Sequence, residues 1–323
     1  MSIVDTVQAP AFVLVDGEWQ LVLGEFPMPM GQGYGDTIEV LGGRSVAESN
    51  IISVIPGGFL GPAGTLVGDA AGLTGHARGG DDSFTVELRG STILGDALRM
   101  DAHARGGDDT IAVASGSGAT VVGDATLMFG HARGGDDRIT LANIVSGSEV
   151  FGDAEEMGDH GRGGNDLITV LNAPFFFSLV AGDARTMTGQ ARGGDDHIVA
   201  GDAPLSFERT TTLVGDAVEM SDHAKGGDDV LVSGTGTDLM WGDGQVMSDH
   251  AAGGGDTFVF LHDSGNDFIE DFVQGQDLID ARAYGAFPAL TLEVSGQDTV
   301  IHLDAENSVT VIGLIGLGTT DFV

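Results

Sequence analysis

Seven times along this chain two glycines are followed by acidic residues, as in the ARGGDDTI of residues 104–111. The positions are Asp81 and Asp82, Asp108 and Asp109, Asp136 and Asp137, Asn165 (a neutral amide) and Asp166, Asp195 and Asp196, Asp228 and Asp229, and finally Asp256 alone. Each is preceded by a Gly-Asp-Ala or Gly-Asp-Gly whose aspartate is Asp69, Asp96, Asp124, Asp153, Asp183, Asp216 or Asp243. Up to three carboxylates per unit, beside the carbonyls of turn glycines Gly79, Gly106, Gly134, Gly163, Gly193 and Gly226, form a hard, all-oxygen donor set. Such a set suits Ca²⁺, which accepts many oxygens at flexible geometry; Mg²⁺ demands a tighter octahedron and Zn²⁺ prefers cysteine or clustered histidine. The same residues also make Asx-turns, the alternative reading of Asp and Gly in this pattern.

These residues recur because the chain is a repeat. Gly-Asp starts a unit at Gly68, Gly95, Gly123, Gly152, Gly182, Gly215 and Gly242, at spacings of 27, 28, 29, 30, 33 and 27 residues. From each Gly-Asp to the next Gly-Gly the spacing stays at 11, while the return segment varies. A fixed half and an elastic half are what a solenoid with a loop on one side shows. Two residues after the last aspartate stands a large apolar residue (Phe84, Ile111, Ile139, Ile168, Ile198, Leu231, Phe258), and in most units another follows two further on. That period of two is a strand with one buried face. A second strand precedes each Gly-Asp, as in TLVGDA and TVVGDA. The expected fold is therefore all-β: a parallel β-roll or β-solenoid of about seven coils of 27–33 residues, near 4.8 Å per layer. Residues 1–64 read as an N-terminal cap, with a hairpin signal at Asp16-Gly17 inside FVLVDGEWQLVLG; GYGDTIEV at 33–40 reads as a degenerate first coil. The solenoid proper spans 65–260 and a C-terminal cap 261–323.

Stacking places like charges about 5 Å apart. Each pair then costs roughly 0.8 kcal/mol in bulk water and about 3 at an effective dielectric near 20. The whole chain carries a formal charge of −36, from 49 acidic and 13 basic residues. Turn-making alone does not explain a doubled, stacked charge, so something positive is expected between layers.

Three other columns run up the repeat. Met100, Met128, Met157, Met187, Met220 and Met247 fit a buried apolar ladder. His76, His103, His131, His160, His223 and His250, broken by Gln190, carry transition-metal chemistry, but the break and the adjoining Ala-Arg-Gly-Gly favour turn capping or ring stacking. Arg78, Arg105, Arg133, Arg162, Arg192 and Lys225 are expected to offset the neighbouring carboxylates.

The repeat resembles the RTX, or haemolysin-type, calcium-binding family, whose nonapeptide is G-G-x-G-x-D-x-U-x. The nearest matches are SGTGTDLMW at 233–241, with Asp238, and DSGNDFI at 263–269, with Asp267; the ARGGDD turns match its second half. The resemblance implies a parallel β-roll with several Ca²⁺ held between coils by Asp82, Asp109, Asp137, Asp166, Asp196, Asp229 and Asp256 and the turn glycines. It also implies export by type I secretion machinery through an uncleaved C-terminal signal, with NDFIEDFVQGQDLID and the strands after it as the cap. The chain departs from the family at Thr120, where the turn lacks its aspartate, at Gly255, and in its GDAxxMxxHAR segment, which lengthens the coil and suits a third side.

Other functions fit less well. Nucleic acid and anionic membranes need clustered basic residues, and the one lysine argues against a uronate polymer. No apolar run reaches transmembrane length, and no cleavable N-terminal signal is visible. No HExxH, GxSxG or phosphate-binding glycine loop occurs. These features point to a secreted, extracellular Ca²⁺-binding module with a structural or binding role. The alternatives are a polysaccharide-acting enzyme or a Ca²⁺-dependent adhesin or matrix protein, with a cell-surface or matrix glycan as partner.

Overall fold

The computed structural model describes residues 11–15, 18–22, 32–34, 40–56, 64–142, 147–171, 178–201, 210–285, 287 and 289–323. It is a β-solenoid whose coils each contribute one short strand to each of three parallel sheets. The first face holds the strands before each Gly-Asp (Thr92–Leu94, Thr120–Val122, Glu149–Phe151 and their counterparts). The second holds the strands after it, such as Ala97–Met100, Ala125–Met128 and Ala154–Met157. The third holds those after Gly-Gly-Asp-Asp, such as Thr110–Ser117, Arg138–Ala142 and Leu167–Leu171. The long GDAxxMxxHAR segment thus builds a side of its own.

Register is kept without slips where the repeat is fixed. Ile111 pairs with Ile139, Ile139 with Ile168, Ile168 with Ile198, Ile198 with Leu231 and Leu231 with Phe258. A one-residue slip would turn every such side chain outward, so burial enforces the alignment. These residues and their first-face partners Ile93, Val121, Val150, Val180 and Leu213 form the main core. The methionine column forms a second, with alanines on either side. Met100, Met128, Met187 and Met220 are wholly buried, whereas Met247, on the last rung, is 38% exposed because no further strand of that sheet covers it.

The solenoid is closed at its ends by antiparallel strands. Ala11–Val15 pairs with Glu18–Val22 and with Ile51–Pro56, as a hairpin requires; the Asp16-Gly17 turn itself lies outside the described residues. Gln32–Tyr34 and Val40–Leu41 pair parallel to Thr65–Val67 and Gly72–Leu73, so strands of the 33–40 segment stack on the first repeat; residues 35–39 are outside the described residues. At the other end Ser308–Val311 stacks on Asn266–Ile269 and turns the chain back through Asp298–His302 and Thr291–Ser295. Among the described residues no helix is long and apolar enough to cross a membrane.

Candidate metal centre

The constant spacing of 11 has a physical cause. In each coil the aspartate of Gly-Asp accepts a hydrogen bond from the backbone N–H of the second glycine 11 residues on: Gly80 to Asp69 at 3.0 Å, Gly164 to Asp153 at 2.7 Å, Gly194 to Asp183 at 2.8 Å and Gly227 to Asp216 at 2.7 Å. The same bond joins Gly107 to Asp96, Gly135 to Asp124 and Gly254 to Asp243. The second face is therefore spanned at a fixed chain length, and insertions fall elsewhere.

The two acidic residues of each doublet have different environments. The first (Asp81, Asp108, Asp136, Asn165, Asp195, Asp228) is exposed, and its Oδ1 accepts from the backbone N–H at the same position of the next coil at 2.8–3.1 Å. Asn165 serves as well as aspartate because the bond needs only an oxygen. The second is buried to 1% exposure throughout: Asp82, Asp109, Asp137, Asp166, Asp196, Asp229 and Asp256. Its Oδ1 accepts from the N–H of the equivalent residue in the preceding coil, as in Asp109 to Asp137 at 2.7 Å and Asp229 to Asp256 at 2.9 Å.

The other oxygen of the buried aspartate sits against an acceptor. A Cβ placed on Gly123 would overlap both Asp137 Oδ2 and the carbonyl oxygen of Gly152 in the next coil, so those two oxygens crowd one point. The arrangement recurs around Gly95 with Asp109 and Gly123, Gly152 with Asp166 and Gly182, Gly182 with Asp196 and Gly215, and Gly215 with Asp229 and Gly242. Oδ2 of Asp109, Asp137, Asp166, Asp196, Asp229 and Asp256 has no hydrogen-bond donor. Two buried acceptors side by side repel unless a proton or a cation lies between them.

The aspartates of Gly-Asp, which have no clear counterpart in the RTX nonapeptide, are wholly buried at Asp69, Asp96, Asp124, Asp153, Asp183 and Asp216 and 5% exposed at Asp243. They stack as a second ladder. A Cβ on Gly106 would overlap Asp124 Oδ1 and lie 2.5 Å from Asp96 Oδ2, and Gly134, Gly163 and Gly193 are likewise flanked by carboxylates of two successive coils. Glycine is required there because a side chain would occupy the space between carboxylates. Asp238 and Asp267 form a separate pair of buried rungs within two neighbouring first-face strands, Thr237–Trp241 and Asn266–Ile269, with Asp267 Oδ1 accepting from Asp238 N at 3.0 Å. Among the described residues no group of three His, Asp or Glu side chains is placed to hold a metal ion, so a cation here would need glycine carbonyls besides the carboxylates.

Burial dominates the electrostatics. It pushes the carboxyls of Asp96, Asp109, Asp124, Asp137, Asp153, Asp166, Asp196, Asp216 and Asp229 far above the ordinary carboxylate range, and neighbouring rungs add to the rise. Asp183, Asp238 and Asp243 are raised to about 6, Asp256 to about 8 and Asp267 to about 9, each chiefly by burial. A carboxyl raised in the fold binds protons that the unfolded chain has released. Its stabilisation is fully present below the unfolded value of 3.8 and is lost as pH rises through the folded value. In chelator the fold is therefore expected to be firmer near pH 4 than near pH 8; urea midpoints in the opposite order would contradict these environments.

Two residues that close the ladder were not singled out in the sequence. Asp271 accepts from Gly242 N and Asp243 N at 2.8 and 3.0 Å, and Asp277 accepts from Asp256 N at 3.1 Å. Asp277 was legible: Ile279 stands two residues after it, as Phe258 does after Asp256.

The histidine column stacks ring on ring, as the turn reading allowed: centroids are 5.0, 5.0 and 4.7 Å apart from His76 to His160, and 4.8 Å from His223 to His250. The expectation for the basic column needs correction. Ion pairs among the described residues are Arg99–Asp101, Arg185–Glu149, Arg282–Asp280 and His302–Glu293, none from that column. Its residues align coil on coil at the exposed corner, while the carboxylates most in need of charge are buried. No family model matches the chain, and no curated protein shows detectable similarity to it.

Proposed function

We propose that the chain is a calcium-binding repeat protein of RTX type, whose solenoid is completed by Ca²⁺ between coils and which serves a structural or binding role outside the cell. The observation that carries this reading is the buried Oδ2 of Asp109, Asp137, Asp166, Asp196 and Asp229, each set against a glycine carbonyl of the next coil with no hydrogen-bond donor. The donor set fits the ion: hard oxygens, anionic and neutral, from two successive coils. Asp109, Asp137, Asp166, Asp196 and Asp229 would hold it, with the carbonyls of Gly123, Gly152, Gly182, Gly215 and Gly242. The Gly-Asp aspartates supply the second tier of charge. Ca²⁺ supplies positive charge that turns each repulsive acceptor pair into an attraction.

The chain's own residues do the rest. The Gly-Gly N–H groups orient the Gly-Asp carboxylates, and the apolar columns exclude water from both ladders. Where Ca²⁺ is scarce, as in a cytosol, buried like charges oppose folding; where it is near millimolar, folding proceeds. This suits export in an unfolded state, with residues 261–323 as the secretion signal. Far-ultraviolet circular dichroism at neutral pH, titrated with Ca²⁺, tests the reading: β signal should appear cooperatively with Ca²⁺ and vanish in chelator. A spectrum indifferent to both would refute it.

A further inference from the structure

The histidine column is left unused by the calcium reading, and its geometry is unusual for a row of turn residues. Every ladder position is preceded by a residue in the left-handed region: Gly75, Ala102, Gly130, Asp159, Gly189, Asp222 and Asp249, with φ between 58° and 75°. The backbone N–H at the ladder position is bonded to the carbonyl of that left-handed residue one coil earlier, as in His103 to Gly75, His160 to Gly130 and His223 to Gly189, all at 2.8 Å. Rigid backbone thus aims each imidazole in the same direction. The rings are nearly parallel, 7–11° between planes. They are exposed, and no side-chain hydrogen bond or ion pair among the described residues occupies their nitrogens. Stacking alone explains the rings' contact but leaves their outward nitrogens free.

We infer that this edge binds divalent transition-metal ions of the Zn²⁺, Ni²⁺ and Cu²⁺ class, one ion per pair of neighbouring imidazoles. Imidazole is the ligand these ions favour and Ca²⁺ does not. Two zinc–nitrogen bonds of about 2.0–2.1 Å require the nitrogens to come nearer than the present ring spacing. Tilting two exposed side chains achieves that without moving backbone, and water completes the shell. Pairing within the unbroken runs gives three sites: His76 with His103, His131 with His160, and His223 with His250. Gln190 isolates the last pair, since His160 and His223 flank it from coils on either side. The site requires the solenoid fold but not the calcium reading, because its ligands lie outside both carboxylate ladders.

Zn²⁺ titration of the full chain by calorimetry, in saturating Ca²⁺ at neutral pH, tests it. Circular dichroism in the same buffer confirms folding of each protein. The native chain should bind three Zn²⁺ with Kd tighter than ~0.1 mM. The variant His76→Gln/His131→Gln/His250→Gln keeps three column histidines but no neighbouring pair, and should lose binding at that level. The control His76→Gln/His103→Gln/His197→Gln loses as many histidines but keeps two pairs, and should bind two ions. Glutamine is tolerated at this position, as Gln190 shows, so the variants should fold. Equal binding by the two triple variants, or no binding by the native chain, overturns the inference.

Discussion

Replacing the buried aspartates Asp109, Asp137 and Asp166 together by asparagine will have opposite effects with and without Ca²⁺. In chelator at neutral pH the variant should be more stable than the native chain. Each asparagine keeps an oxygen for the N–H of the preceding coil, now met at 2.6–2.7 Å by Oδ1. Its amide places a donor where Oδ2 meets the next glycine carbonyl, and it removes a charge whose burial the fold resists. In millimolar Ca²⁺ the order should reverse, because each site loses its anionic ligand. With a Kd near 10⁻⁴ M, 1 mM Ca²⁺ adds roughly 1.4 kcal/mol per site, or about 4 over three sites. Urea denaturation with and without Ca²⁺ reads both signs. If the variant is destabilised equally in both, the buried carboxylates are scaffold alone.

The second large effect comes from a single methyl group. Gly123→Ala should cost about 4 kcal/mol or more, beyond an ordinary surface glycine substitution. The backbone there is not left-handed, so torsion is not the obstacle. The new Cβ would overlap the Gly152 carbonyl and Asp137 Oδ2, one of them backbone, and would hold two coils apart at the point proposed for the ion. Gly118 is the contrast. Its φ is +63° and nothing lies within 4 Å of its added Cβ, so alanine there costs only the left-handed penalty of about 1–2 kcal/mol. Urea midpoints in Ca²⁺ that fall equally for the two variants would show that Gly123 is needed for chain flexibility rather than close approach.

Much of this architecture was legible because stacking makes sequence periodic. The apolar columns at Ile111 and Met100 could be assigned to buried faces, since each recurs at a fixed offset from Gly-Asp. The constant 11 was visible as a number, but its cause, the bond from Gly80 to Asp69 and its copies, was not. Nor did the doublets reveal that their members part company. Asp108 and Asp109 are adjacent in sequence, just before the strand Thr110–Ser117, yet one is exposed and the other buried. Asp96 has no clear counterpart in the family's nonapeptide, yet its burial matches that of Asp109. The basic column makes no ion pair among the described residues: Arg105 is exposed at the corner of its coil, whereas Asp109, which most needs the charge, is buried.

The proposed function requires a cation between buried carboxylate and glycine carbonyl in successive coils. Crystals grown in millimolar Ca²⁺, with data collected for calcium's anomalous signal, address it directly. The expected result is a column of anomalous peaks, each about 2.3–2.6 Å from a doublet Oδ2 and from the glycine carbonyl of the next coil. Carboxyl and carbonyl oxygens closed to hydrogen-bonding distance, with no anomalous peak between them, would contradict it.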